Sequence, residues 1–257
     1  MFINASTIPM KTSPSFAQRR KANRALRFHQ LALAAAGALA LSACGGGGDA
    51  AAPAGTTTSS LSLPLKSAYA AAVASGYSKT YAVSGTCNGT ATDTRGAASG
   101  GASFEGASGV LSAVQTLTIS FTNCTPVSTA ATATDYYDTS YNPLGSSIVG
   151  SAYHVYPAAL TIPASVTVGS TGTIGTSNNY SSSSKTTLLG QTAISYVVEP
   201  DTATTAIVNL ITRTTDAAGH LTSTEQDRYR IAATGAAVPV SIDIQYAFTS
   251  TTHLFLQ

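Results

Sequence analysis

The sequence predicts a mainly β protein: an antiparallel meander, built as a sandwich or a half-barrel, with one short helix near its start. Three observations predict it. Runs that alternate apolar and polar residues recur from Tyr77 onward, as where Leu117, Ile119 and Phe121 interleave with Thr116, Thr118, Ser120 and Thr122. Turn signals stand between consecutive runs, among them Asn88-Gly89, Glu199-Pro200-Asp201 and Asp216-Ala217-Ala218-Gly219. Charged residues are only 9% of the chain, against about 25% in ordinary globular proteins. Thr and Val, which suit strands, and Gly and Asn, which suit turns, stand in their place. No stretch shows the strand–helix alternation of a parallel sheet.

Residues 1–43 read as a leader. Gln18 to Arg27 is basic, and Leu31 to Leu41 is apolar. That run is too short to span a bilayer as a helix, which takes about 20 residues, and it has the proportions of a signal peptide. It ends in Leu41-Ser42-Ala43-Cys44, followed by Gly45. A Leu three places before a Cys, with two small residues between, resembles the lipobox of bacterial lipoproteins. The resemblance implies cleavage before Cys44 and acylation of its sulfur. The membrane, reached through those acyl chains, is then the first partner. An Asp directly after the Cys would retain such a protein at the inner membrane. Gly45 in that place implies the outer membrane, facing the periplasm.

The leader also explains the charge. Six of the 13 basic residues lie before Cys44 and all 11 acids lie after it. Seven basic residues then face eleven acids, so the mature chain carries −4. A basic partner surface for nucleic acid is excluded on that ground. Residues 44–61 are rich in Gly, Ala, Thr and Ser without apolar periodicity, and read as a flexible tether.

Residues 62–143 open with the helix. Ser62 is the expected N-cap, Pro64 sits near the first turn, Leu65, Tyr69 and Val73 share a face, and Gly76 closes the end. Tyr77 to Gly85 and Thr90 to Arg95 follow as strands. Gly96 to Gly101 reads as a loop, and Thr116 to Thr122 as the clearest strand. With Cys44 acylated, Cys87 and Cys124 remain. Two cysteines are too few for a structural zinc site and lack Cys-x-x-Cys spacing, so a disulfide is the expected state in an oxidising compartment.

Residues 144–257 read as the meander proper, in one domain with the preceding region or as a second one. Ser177-Asn178-Asn179 is an expected turn. Strands are expected over Lys185–Leu189, Ala193–Glu199, Ala203–Thr214, His220–Ala233, Val238–Thr249 and Thr252–Leu256. Tyr136, Tyr137, Tyr141, Tyr153 and Tyr156 form a candidate binding face for an envelope protein or glycan, since Tyr offers a flat ring with a polar tip. Tyr is also a good strand residue that pairs across strands, and with no Trp in the chain strand packing is the favoured reading.

Catalytic chemistry is not legible. Gly-x-Ser-x-Gly does not occur, and His154, His220 and His253 fit no metal spacing. No phosphate-cradling loop is present. Glu225, Asp227, Arg228 and Arg230 are the densest charge cluster. Alternation puts Glu225, Asp227 and Tyr229 on one face and Gln226, Arg228 and Arg230 on the other, where ion pairs or a solvated face are expected. No catalytic residue, metal or cofactor is assigned. The expected role is a non-catalytic, lipid-anchored structural or binding protein of the envelope, or else a carrier of an apolar ligand or lipid.

Overall fold

The computed structural model describes residues 61–247 and 252–257. The leader, Cys44 and the tether lie outside the described residues. A two-residue strand β1 (Ser62–Leu63) precedes helix α1 (Leu65–Ser75). Seven strands follow: β2 (Tyr77–Gly85), β3 (Gly89–Arg95), β4 (Ser99–Phe104), β5 (Ala107–Phe121), β6 (Ser128–Tyr137), β7 (Pro143–Ile148) and β8 (Ala152–Val155). The short β9 (Val166–Thr167) pairs with β1. Then come β10 (Thr171–Tyr180), β11 (Leu188–Pro200), β12 (Thr205–Asp216), β13 (Leu221–Ala232), β14 (Ala237–Tyr246) and β15 (Thr252–Leu256).

The predicted antiparallel meander with one helix is what forms. The sheet goes beyond a half-barrel and closes. β3 pairs with β5 from Gly89↔Phe121 to Arg95↔Gln115, which joins the two ends of the strand series into a 12-stranded barrel. Strands from 62–143 and from 144–257 belong to this same barrel. Closure pairs the two ends of the strand series, which would otherwise be open edges. β4 folds back on β5 as an additional hairpin arm.

Alternation sets the two surfaces. Ile194, Tyr196 and Val198 of β11 point inward and are buried, and so do Leu117, Ile119 and Phe121 of β5. The outer surface carries hydroxyls, amides and ion pairs. Thr116 and Thr132 meet at 3.1 Å. The Asn209 amide donates to Glu199 and to Gln226 at 3.0 Å, and Arg228 and Arg230 pair with Glu199 and Asp201. A membrane-spanning barrel instead presents an apolar band outside. No helix among the described residues is long and apolar enough to cross a membrane.

Helix α1 lies across one mouth of the barrel. Its first turn meets the segment before β9, where the Lys66 N–H donates to the Pro163 carbonyl at 3.1 Å. Its last turn meets the chain after β3, where the Ala98 N–H donates to the Val73 carbonyl at 3.0 Å. Leu65 and Ala68 pack on Val198, Val208 and Leu210, whereas Tyr69 and Val73 pack on Ala113 and Tyr137. Those partners belong to opposite walls, so the helix acts as a lid. Burying Leu65 and Val73 stabilises this seat by about 1.5–3 kcal/mol each. Gly76 ends the helix at φ 68°, a left-handed turn against the Arg95 carbonyl that a side chain would obstruct.

Three local expectations are corrected. Ser62 is not the cap, because β1 pairs it with Thr167 and the helix begins behind Pro64 without a side-chain cap. Part of the expected 96–101 loop is β4, held by backbone pairing to a long β5. Ser177-Asn178-Asn179 is not a turn but part of β10. The Asn179 amide donates to Thr192 at 2.7 Å, so a partner on β11 satisfies the polarity that had suggested a turn.

The β4–β5 hairpin covers the outer wall. Phe104 stacks on Tyr136 with ring centroids 4.5 Å apart and tilts against Tyr153 at 5.3 Å. Its ring rests on Gly145, where a Cβ would collide with both that ring and the His154 carbonyl. Gly145→Ala is therefore expected to lower stability by about 1–3 kcal/mol through overpacking. Phe104→Ala placed beside it should recover part of that loss in denaturant titrations.

Candidate functional site

The barrel core has polar groups where a simple β core would have none. Near the closing disulfide the interior is apolar, with Ile119, Ile244, Leu254 and Leu256 all buried. Under α1 it is apolar again. Between them runs a belt of buried polar side chains. Asp93, Arg95, Gln115, Asp135, Ser146, His154, Thr192, Thr212, Glu225 and Asp227 all belong to it. Each is placed by strand alternation, on the same face of its strand as the apolar core residues beside it.

Two hydrogen-bonded centres organise this belt. In the first, the Tyr77 hydroxyl donates to Asp93. The Gln115 amide donates to both Asp93 oxygens at 2.9 and 3.1 Å and to the Tyr77 hydroxyl at 2.9 Å. In the second, Arg95 donates to the Tyr137 hydroxyl and lies 3.7 Å from the Asp135 carboxylate. The Tyr137 hydroxyl donates to Asp135 at 3.2 Å. The Arg95 side chain also stands 5.3 Å over the Tyr137 ring.

Burial sets the protonation of this belt. It raises Asp93 and Asp135 above the ordinary carboxylate range, against the opposing pull of their hydrogen bonds and of Arg95. Asp227 is pushed up to about 7, first by burial and then by the Asp93 charge, while a hydrogen bond from Glu225 opposes the rise. His154 is driven down to about 4 by burial and is neutral at pH 7. The three aspartates hold protons more tightly folded than unfolded. Their stabilising contribution is full below about pH 4 and is lost as pH rises through the folded values, near 7 for Asp227. His154 acts oppositely between about 4 and 6.5. Thermal midpoints should therefore fall from pH 5 to pH 8, and Asp227→Asn should fall less. An unchanged slope in that variant would contradict the assignment.

The cluster around Glu225 is thus corrected in part. Glu225, Asp227 and Tyr229 do share a face, but that face is the lumen, and the two acids are 3% and 4% exposed. The Arg228 and Arg230 side carries the expected ion pairs, to Glu199 and Asp201. The closed barrel supplies the reason, because it turns one face of every strand away from water.

The five tyrosines do not make one face. Tyr137, Tyr141 and Tyr156 gather at the mouth around α1. Tyr136 and Tyr153 lie outside under Phe104, with the Tyr153 hydroxyl donating to Glu105 at 2.9 Å. Cys87 and Cys124 form a disulfide. Cys44 lies outside the described residues. Among the described residues no cluster of three His, Cys, Asp or Glu side chains is arranged to hold a metal.

Comparison with protein-family models, with curated proteins and with solved structures finds no match. The chemistry therefore has to be read from the chain itself. The belt is closed in by the barrel wall and the lid. Next to it, however, a cavity of about 240 Å³ lies between α1 and the start of β14. Ala72, Gly76, Tyr77, Tyr229, Ala237 and Pro239 are among its walls. The sequence carried no sign of this cavity, because its wall residues come from three separate stretches. The alternation of Ala91, Asp93 and Arg95 in β3 was a readable sign of the belt.

Proposed function

We propose that this chain is a lipid-anchored protein of the cell envelope, attached through acyl chains on Cys44 and facing the periplasm from the outer membrane. Its barrel is a non-catalytic binding module. The observation that carries the binding reading is the cavity of about 240 Å³ between α1 and the start of β14. Sites for drug-sized ligands run from about 300 to 1,000 Å³. This cavity favours a smaller, mainly apolar ligand and is too small for a whole lipid. The lipobox resemblance and the Cys87–Cys124 bridge support an exported, oxidising setting.

Two measurements test this reading. Intact mass of membrane-extracted protein should exceed the processed polypeptide by the acyl groups, and Cys44→Ser should abolish the excess. An unmodified mass for the membrane-extracted chain would refute the anchor. The soluble Cys44→Ser form should carry or accept a small apolar molecule, seen as extra mass in native spectra that leaves on denaturation. If it takes none, the barrel is a structural spacer.

A further inference from the structure

The cavity stands at a seam in the barrel wall. β15 pairs with β14 from Ile242↔Leu256 to Tyr246↔Thr252, and with β2 only from Val83 to Gly85. Ala82 exchanges backbone bonds with Gln257. Beyond that point no described strand lies between Tyr77–Tyr81 of β2 and Ala237–Ser241 of β14. Pro239 stands on this free edge of β14, where a missing N–H costs nothing and discourages strand addition.

One side chain crosses the seam. The Lys79 ammonium donates to the Pro239 carbonyl at 3.1 Å and sits 5.2 Å from the centre of the Tyr81 ring. Lys79 shares its face of β2 with Tyr77, a cavity wall residue. It makes no ion pair among the described residues. Asp93, its partner in register, is held instead by Tyr77 and Gln115. Asp227 lies on β13, two residues from the wall residue Tyr229 and on the same face. The acids thus lie in the belt, whereas the Lys79 cation stands at the seam, on the carbonyl of the wall residue Pro239.

We infer that the seam between β2 and β14 is the entrance to the cavity, and that its ligand is a medium-chain aliphatic carboxylate whose head group replaces the Pro239 carbonyl on Lys79. This rests on the binding reading above. The walls are methyl groups, glycine backbone and tyrosine rings, which suit an alkyl chain. The volume of about 240 Å³ gives room for an alkyl chain of medium length. An ammonium ligand would meet Lys79 as a like charge. A neutral head group would leave Lys79 on its carbonyl. A carboxylate gains a charge-assisted hydrogen bond at a partly desolvated site.

The test is calorimetric titration of delipidated, full-length Cys44→Ser protein with decanoate, decanol and decylamine. Decanoate should bind at least tenfold more tightly than decanol, and decylamine weakest. Lys79→Met should bring decanoate down to the level of decanol with an unchanged thermal midpoint, and Lys79→Arg should restore it. Ala72→Phe, which fills the cavity, should abolish binding of all three. Equal binding of decanoate and decylamine, or no effect of Lys79→Met, overturns the head-group assignment and leaves the cavity reading standing. Tight binding that survives Ala72→Phe overturns the location. Failure of all three probes to bind overturns this inference and the binding reading together.

Discussion

Arg95→Met is expected to cost about 3–5 kcal/mol at pH 7, the range for removing one partner of a buried charge pair. Arg95 is 2% exposed, deep in a lumen that also holds Asp93, Asp135, Glu225 and Asp227. Its guanidinium is bonded to Tyr137 and faces Asp135. Methionine keeps the volume and removes the charge, so the loss is electrostatic and not a cavity. Without Arg95, Asp135 keeps the desolvation that raises its pKa and loses the opposing attraction. Its folded pKa then lies further above the unfolded one. The penalty of the variant is smallest below about pH 4, where the carboxyl is protonated in both states, and it grows as pH rises through the folded value. Denaturant titrations at pH 4 and pH 7 should show that divergence. Arg95→Met with Asp135→Asn should be more stable at pH 7 than Arg95→Met alone. A variant within 1 kcal/mol of the parent at pH 7 would mean that the belt is not held as a charge network.

Removing the disulfide is the second large effect. Cys87 and Cys124 are 37 residues apart in sequence, and chain-entropy reasoning assigns such a cross-link about 4 kcal/mol, a model-dependent figure. Position adds a specific expectation. Cys87 precedes β3 and Cys124 follows β5, so the bridge stands beside Gly89↔Phe121, the first pair of the contact that closes the barrel. Cys87→Ala with Cys124→Ala should lower stability by about that amount. Amide exchange should also rise most in residues 89–91 and 119–121, because the β3–β5 pairing opens from the end that has lost its clamp. A loss under 1 kcal/mol, or exchange that rises evenly around the barrel, would argue against a closing role.

Much of the fold was readable in one dimension, where the physics is local. Period-two alternation identified β2, β5, β11 and β14, and it correctly joined Glu225, Asp227 and Tyr229 on one face. The 65–69–73 spacing with Gly76 behind it located the only helix among the described residues. Composition and elimination paired Cys87 with Cys124, as the bridge confirms.

Alternation defines two faces but not which of them is inside when both carry polar groups. Asp227 therefore read as part of an ion-paired or solvated face, and its burial follows only from β3 meeting β5 and the sheet closing around it. That meeting depends on backbone hydrogen bonds between distant strands, which carry almost no side-chain signature. The lid, the seam at Lys79 and the cavity follow from the same closure. Residues 71–77, 229 and 235–239 share a site because the barrel's register brings α1, β2, β13 and β14 to one mouth.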